Sequence, residues 1–239
     1  MESTKLGRVR KLLAKAERAG TPEEAQTYTE KAVELMARHG IDMALLAAAD
    51  PGCDEIGVTR VPVADPYSAG KARLLGWTAA ALRCRAVLHQ ARGGRVTAVT
   101  VFGFASDRER VEVLFTSLLL QATAQLVQRR PERAGESVAA YRRSWLHGFA
   151  VAVHRRLCDA ERRAAGAGPA EAVGAGPRTE LVLADRRRQV ERAYAEAFPL
   201  LGRGRRPAFS GTGFPAGVDA GERADLGAPA VRGRRALGA

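Results

Sequence analysis

The spacing of apolar residues between positions 4 and 42, TKLGRVRKLLAKAERAGTPEEAQTYTEKAVELMARHGID, constrains this chain more than any other feature. Leu6, Val9, Leu12, Leu13 and Ala16 recur at intervals of three and four, which puts them on one face of a helix from about Thr4 to Arg18. Arg8, Lys11, Lys15 and Arg18 fall on a different face, and Gly20 stops the helix. Thr21-Pro22-Glu23-Glu24 then opens a second helix. Thr21 and Glu24 have the spacing of a capping box, and Pro22 stands at the first helical position, where its missing N–H costs nothing. Tyr28, Ala32, Leu35 and Met36 make its apolar face. Arg38 and His39 complement the helix dipole, Gly40 is expected to supply the left-handed residue that ends the helix, and Ile41 to touch Met36. The expected product is a helical hairpin. Its basic stripe can sit on phosphate, but the favoured reading is that it faces the acidic stripe Glu23, Glu30, Glu34 of the second helix, or water.

Three stretches carry a likeness to a known family: Arg8-Val9-Arg10-Lys11-Leu12-Leu13-Ala14-Lys15-Ala16, Thr21-Pro22-Glu23-Glu24-Ala25, and Lys31-Ala32 through Glu34-Leu35-Met36-Ala37-Arg38-His39-Gly40-Ile41. On these the segment resembles the domain of unknown function 2786 family of bacterial and phage proteins. The likeness covers roughly a sixth of the chain. It implies a second, uncharacterised α+β domain after the hairpin, and it brings no catalytic residues with it.

A chain of 239 residues has ample length for a core, in one large or two modest domains. Aromatic residues are only 5% while alanine is abundant, so helices packed through small side chains are expected. The net charge of +12 is unevenly placed. Residues 1–64 hold nine Lys/Arg against ten Asp/Glu, residues 65–128 eight against four, and residues 129–239 twenty-one against twelve. A basic balance of this size favours polyanion partners. Thirty-three of the thirty-eight basic residues are arginine, however, and GC-rich coding DNA produces that bias without selection for function. No apolar run approaches the ~20 residues that span a bilayer, so no membrane partner is expected. The opening Met1-Glu2-Ser3-Thr4 has no charged-then-apolar signal, and Cys53, Cys84 and Cys158 suit free thiols in a reducing cytoplasm.

Asp50-Pro51-Gly52 reads as a turn between a hairpin domain, 1–50, and an α+β domain, 54–239. In the latter, Ile56–Val63 alternates as an edge strand ending near Pro62, and Pro66–Leu82 reads as a helix. Ala86–Gln90 and Val96–Phe102 flank Arg92-Gly93-Gly94-Arg95, which predicts a β-hairpin. Ser106-Asp107-Arg108-Glu109 has capping-box spacing before a long helix that ends at Arg129-Arg130-Pro131. Another helix is expected from about Glu136 to Ala164, with Val138, Tyr141, Trp145, Phe149, Val153 and Leu157 inward. Gly166–Gly176 is Gly/Ala/Pro-rich and reads as a flexible loop; Glu180–Leu183 reads as a short strand and Asp185–Ala197 as a helix. Phe214–Leu226 is helix-compatible despite Pro215, and Gly213, Gly217 and Gly221 give it one smooth face. The last dozen residues are expected to fray.

Candidate chemistry is thin. His147, His154 and Cys158 have ligand-compatible helical spacing, but no Cys-x-x-Cys or His-Glu-x-x-His completes a set, so no metal is assigned. Ser210-Gly211-Thr212-Gly213, with Arg203-Gly204-Arg205-Arg206 before it, can cradle a phosphate, although it is not a Walker motif. Ser210, Thr212, Cys84 and Cys158 have no recognisable base beside them in sequence. The expectation is therefore an α+β, non-enzymatic cytoplasmic protein without cofactor. It contacts DNA or RNA through Arg142, Arg143, Arg155, Arg156, Arg186, Arg187, Arg188, Arg203, Arg205 and Arg206. A protein adaptor docking through the hairpin, and an enzyme of unknown class, are the alternatives.

Overall fold

The structure, a computed structural model, describes residues 8–9, 11–13, 15, 21–131, 133–166, 175–201 and 210–224. All six described residues between 8 and 15 are helical and belong to α1. Helix α2 spans Pro22–Ala49. One 3-10 turn, Pro51–Cys53, leads to strand β1, Ile56–Pro62. Helix α3, Ser68–Ala81, is followed by β2, Arg85–Gln90, and β3, Val96–Phe104. Four helices follow among the described residues: α4, Ala105–Gln128; α5, Val138–Gly166; α6, Ala175–Ala197; and α7, Phe214–Arg223. The architecture is α+β, with a small sheet among long helices.

The sheet is antiparallel in the order β1-β3-β2. The β2–β3 turn uses Gly93 and Gly94 at φ 76° and 73°, the left-handed region that favours glycine. Strand β3 is central, and of its nine residues only Thr97 is exposed. One face of the sheet, through Val99 and Val101, joins the main core with Leu74, Leu75, Phe115, Leu118, Trp145 and Phe149. The other face is covered at one end by α6, where Phe102 and Phe104 meet Val190, Tyr194 and Phe198. Val9 and Leu13 of α1 and Ala32 and Met36 of α2 belong to the main core, so the hairpin is packed against the sheet's helices.

The expected inward stripe of α5 is buried at Tyr141, Trp145, Phe149, Val153 and Leu157, while Val138 is exposed. Helix α7 lies on α5 through glycines of both helices. A β-carbon on Gly221 would stand 2.7 Å from the Phe149 carbonyl oxygen, and one on Gly148 would stand 2.9 Å from the Val218 nitrogen. The four-residue glycine spacing is therefore a seam that lets two backbones touch.

Four expectations need correction. Gly40 does not end α2; it is a buried helical residue, and the helix continues to Ala49, so Ile41 does not fold back on Met36. Arg110 occupies the space where a side chain on residue 40 would stand. Residues 180–183 are not a strand but part of α6, whose buried positions Thr179, Arg186 and Val190 follow a helical period. The capping box at Ser106 is not made. Helix α4 begins one residue earlier, and Asp54 takes the Ser106 N–H at 3.1 Å and its hydroxyl at 2.6 Å. Gly166 closes α5 and residues 175–176 open α6, so the expected loop is bounded more tightly; 167–174 lie outside the described residues. So do Thr4, Arg18, Gly20 and the last dozen residues.

Helix α4 is also long and apolar enough to cross a membrane by length and composition, with a mean hydropathy of 1.2 over eighteen residues. Here Val111, Leu114, Phe115, Leu118, Ala122 and Leu126 are buried in the core, and Asp107 and Arg110 are buried in its first turns.

Candidate nucleic-acid interface

Spacings of three and four put Arg8, Lys11 and Lys15 on one face of α1, and a spacing of seven aligns Lys31 with Arg38 on α2. The structure brings both rows to a single cleft of about 620 Å3 between the helices. Leu12 and Leu35, each half-buried, and the half-buried Tyr28 line it from within. The Lys15 ammonium lies 5.5 Å from the centroid of the Tyr28 ring, within the range of a cation–π contact. Among the described residues Glu34 is the one carboxylate of the lining, and Arg38 of its own helix holds it at 2.7 Å. That pair is well exposed, at 65% and 59%, so it adds little to stability. Among the described residues, Arg8, Lys11, Lys15 and Lys31 have no ion-pair partner. The basic stripe thus faces a cleft to which the described residues of α2 add Lys31 and Arg38 against Glu34. The side chains of Glu23 and Glu30 lie outside the described residues.

The arginines expected to hold nucleic acid divide into three groups. Arg142, Arg156 and Arg186 are turned to internal work. Arg142 donates to the carbonyls of Val127 and Arg129 at 2.6 and 3.0 Å, closing the C-terminal end of α4. Arg156 does the same for α7, donating to Gly221 at 2.7 Å and to Ala224. Both sit where a helix leaves carbonyls unmatched and its dipole is negative. Arg143 and Arg187 are exposed, Arg155 is paired with Glu222 at 2.5 Å, and Arg188 with Asp185 at 3.2 Å. Arg203, Arg205 and Arg206 lie outside the described residues.

Arg186 is the clear correction, because it is buried at 3% exposure within a network of opposite charges. Its Nε donates to Asp107 at 2.9 Å and its Nη2 to Asp54 at 2.5 Å, while its guanidinium lies 3.7 Å from the Phe104 ring centroid. Asp107 also accepts from Arg83 at 3.0 Å and from Arg110 at 2.9 Å. Glu161 accepts from Arg83 at 2.8 Å and from Arg110. Three guanidiniums therefore meet three carboxylates. Burial alone would raise the Asp107 pKa, but Arg83, Arg110 and Arg186 hold it below the usual aspartate range. Arg83 is held by these bonds with its backbone at φ 63°, an uncommon conformation for a side-chain-bearing residue. A phosphate could reach Arg186 only by displacing two carboxylates.

The remaining candidate motifs have packing roles. Thr212 gives both its N–H and its hydroxyl to Glu136, at 2.7 and 2.6 Å, so a carboxylate already sits where a phosphate cradle was expected. Those two bonds hold the Glu136 carboxyl below its usual range. Gly211 and Gly213 press on the α5 backbone. His147 and His154 both lie against the Trp77 indole, at 5.4 and 6.0 Å between ring centroids. His154 Nδ1 donates to the Trp77 carbonyl at 3.0 Å, which leaves Nε2 3.7 Å from the Cys158 sulfur. Among the described residues no group of three or more His, Cys, Asp or Glu side chains could hold a metal ion.

Residues 5–43 match the model of a family described as protein of unknown function (DUF2786). The hairpin is thus similar to that family. The match spans roughly a sixth of the chain and stops before the sheet. No curated protein and no solved structure matches the chain. Every described residue that lines the cleft, from Arg8 to Arg38, falls inside the DUF2786 match. So do four of the five lysines, Lys5, Lys11, Lys15 and Lys31; only Lys71 lies beyond it. That concentration was visible in the sequence, as was the seven-residue interval between Lys31 and Arg38. Of the acidic residues 23, 30 and 34 expected opposite the basic stripe, Glu34 does line the cleft, beside Lys31 and Arg38.

Proposed function

We propose that this protein contacts nucleic acid through its phosphates, and that the DUF2786 cleft is the contact surface. The observation that supports the reading is the convergence of five cations from two helices on one cleft, where the single carboxylate among the described lining residues is already paired. Phosphate contact needs a local density of cations and not a fixed motif. The lysines strengthen the argument. A GC-rich coding bias explains an excess of arginine, but it does not place lysines, and three of the five in this chain line the cleft. Among the described residues the cleft lining offers four cations outside any ion pair, which suits the holding of an anion.

Binding of labelled single- and double-stranded DNA and RNA across a salt series tests the proposal. Four or five neutralised phosphates predict a slope of log K against log salt of about −3 to −4. Replacing Lys11, Lys15 and Lys31 together with Ala is expected to flatten that slope by about 2. An unchanged slope in the triple variant would take the cleft out of the contact.

A further inference from the structure

Resting on the reading of the cleft as a phosphate-contacting surface, we propose that its ligand is an unpaired strand, with a nucleobase lying against Tyr28 and its flanking phosphates on Lys11, Lys15 and Lys31. Phosphate contact alone has no use for an apolar interior. A duplex keeps its bases stacked inside and presents phosphates to convex or protruding surfaces, as when a helix enters a groove. Here the cations stand at a concavity lined by Leu12, Leu35 and Tyr28. Its volume, about 620 Å3, lies within the ordinary range for small-molecule sites, and an apolar lining with a few placed polar groups is their usual composition.

Tyr28 is the aromatic side chain among the cleft-lining residues, and it is half-buried with Lys15 at its ring. A base stacked on an aromatic ring beside a cation is the recurring unit of single-strand recognition, and it tolerates any sequence because every base has a π-face. The two helices supply cations from opposite sides, so a strand laid along the cleft meets positive charge on both flanks. With one ring on offer, the site takes one base at a time and reads little sequence.

The test uses the full-length protein and three labelled probes of equal length at low salt: oligothymidylate, the same sugar–phosphate strand without bases, and a blunt duplex. Oligothymidylate is expected to bind about tenfold tighter than either of the others. Tyr28→Ala should remove most of that advantage and leave the abasic strand's affinity unchanged, whereas Tyr28→Phe should keep it. Lys11→Ala with Lys15→Ala should weaken all three probes. Equal affinity of the wild-type protein for the thymidylate and abasic strands would overturn the base contact while leaving the phosphate contact standing, and that comparison needs no variant to fold. A preference for the duplex would overturn it as well. No binding of any probe at low salt would end both proposals, and an acidic peptide would become the ligand to try.

Discussion

A β-carbon on Gly40 would stand 2.9 Å from Arg110 Nε and closer still to the rest of that guanidinium. Gly40 is therefore the opening in α2 through which a fully buried arginine is accommodated. A solvent-facing helical glycine gains about 1 kcal/mol when replaced by alanine. The sign is expected to reverse here. Gly40→Ala should lose about 1–3 kcal/mol, as overpacked cores do, because Arg110 cannot withdraw without leaving Asp107 and Glu161. Urea unfolding of the two proteins would show it, and a stabilised variant would refute the packing role.

Asp107 is the anion on which three arginines converge. Removing its charge with Asp107→Asn should cost about 3–5 kcal/mol, since buried guanidiniums lose their counter-ion. Circular dichroism melts of the two proteins near neutral pH would give the difference directly.

The same carboxyl predicts acid lability. Its folded pKa lies below the ordinary 3.8, so the stability it contributes is complete above that value and is lost as pH falls through the lowered one. His147 is held below its ordinary 6.5 by burial and by Arg73, so an earlier, smaller loss should begin beneath 6.5, where the unfolded chain takes a proton the folded chain resists. Stability measured from pH 7 to pH 2 should fall in these two phases. His147→Gln should remove the first while leaving the second, and a flat profile above pH 4 in the wild-type protein would contradict the shift at His147.

Local signals carried most of the fold. The start of α2 at Pro22, the Gly93-Gly94 turn and, Val138 apart, the inward stripe of α5 each depend on signals within a few residues, and each appears where its spacing puts it. What the sequence hid was set by distant partners. The bonds of the buried network join residues 24, 78 and 132 positions apart, and no periodicity reports such pairings. Gly40 shows the consequence: locally it looks like a helix terminator, and only Arg110 makes it a packing glycine. Residues 180–183 failed for a different reason, because a short apolar run fits a strand or one turn of helix equally well. Half of the candidate site was legible, as the stripe on α1. Its partner row on α2 emerged only when the helices were set side by side.

The seam between α5 and α7 should be intolerant of any side chain. Gly217 lies against the Trp145 backbone, where a β-carbon would stand 2.9 Å from Trp145 Cα. Gly217→Ala is expected to cost about 1–3 kcal/mol and to expose the Trp145 indole, which is now fully buried. A red shift of tryptophan emission together with a lower melting temperature would report the parting of the helices; unchanged emission would show that the seam yields without opening.

Thiol chemistry should rank the cysteines by environment. Cys53 is exposed, Cys158 is half-buried with its pKa raised by burial and by Asp159, and Cys84 is buried with its pKa pushed up to about 12. The thiolate is the reactive form, so at pH 8 one fast, one slow and one silent thiol are expected in the folded protein. Titration with an aromatic disulfide, with and without guanidinium, would count them, and a fast reaction at Cys84 would contradict its burial beside Gly103.

The run Arg186-Arg187-Arg188 looks uniform in sequence, yet its members should behave as different residues. Arg187 and Arg188 are exposed on α6, and Arg188 pairs with Asp185, three residues before it. Replacing both with Ala should leave the melting temperature nearly unchanged, because exposed ion pairs contribute little. Arg186→Ala strips Asp54 and part of Asp107 of their counter-ion and removes the guanidinium from the Phe104 ring, so a loss of about 3–5 kcal/mol is expected. The same variants separate stability from binding. If the cleft is the phosphate site, the Arg187/Arg188 double variant keeps most of the nucleic-acid affinity of the wild type. Should that double variant lose binding while remaining folded, the contact would lie on α6, and the lysines around the cleft would need another purpose.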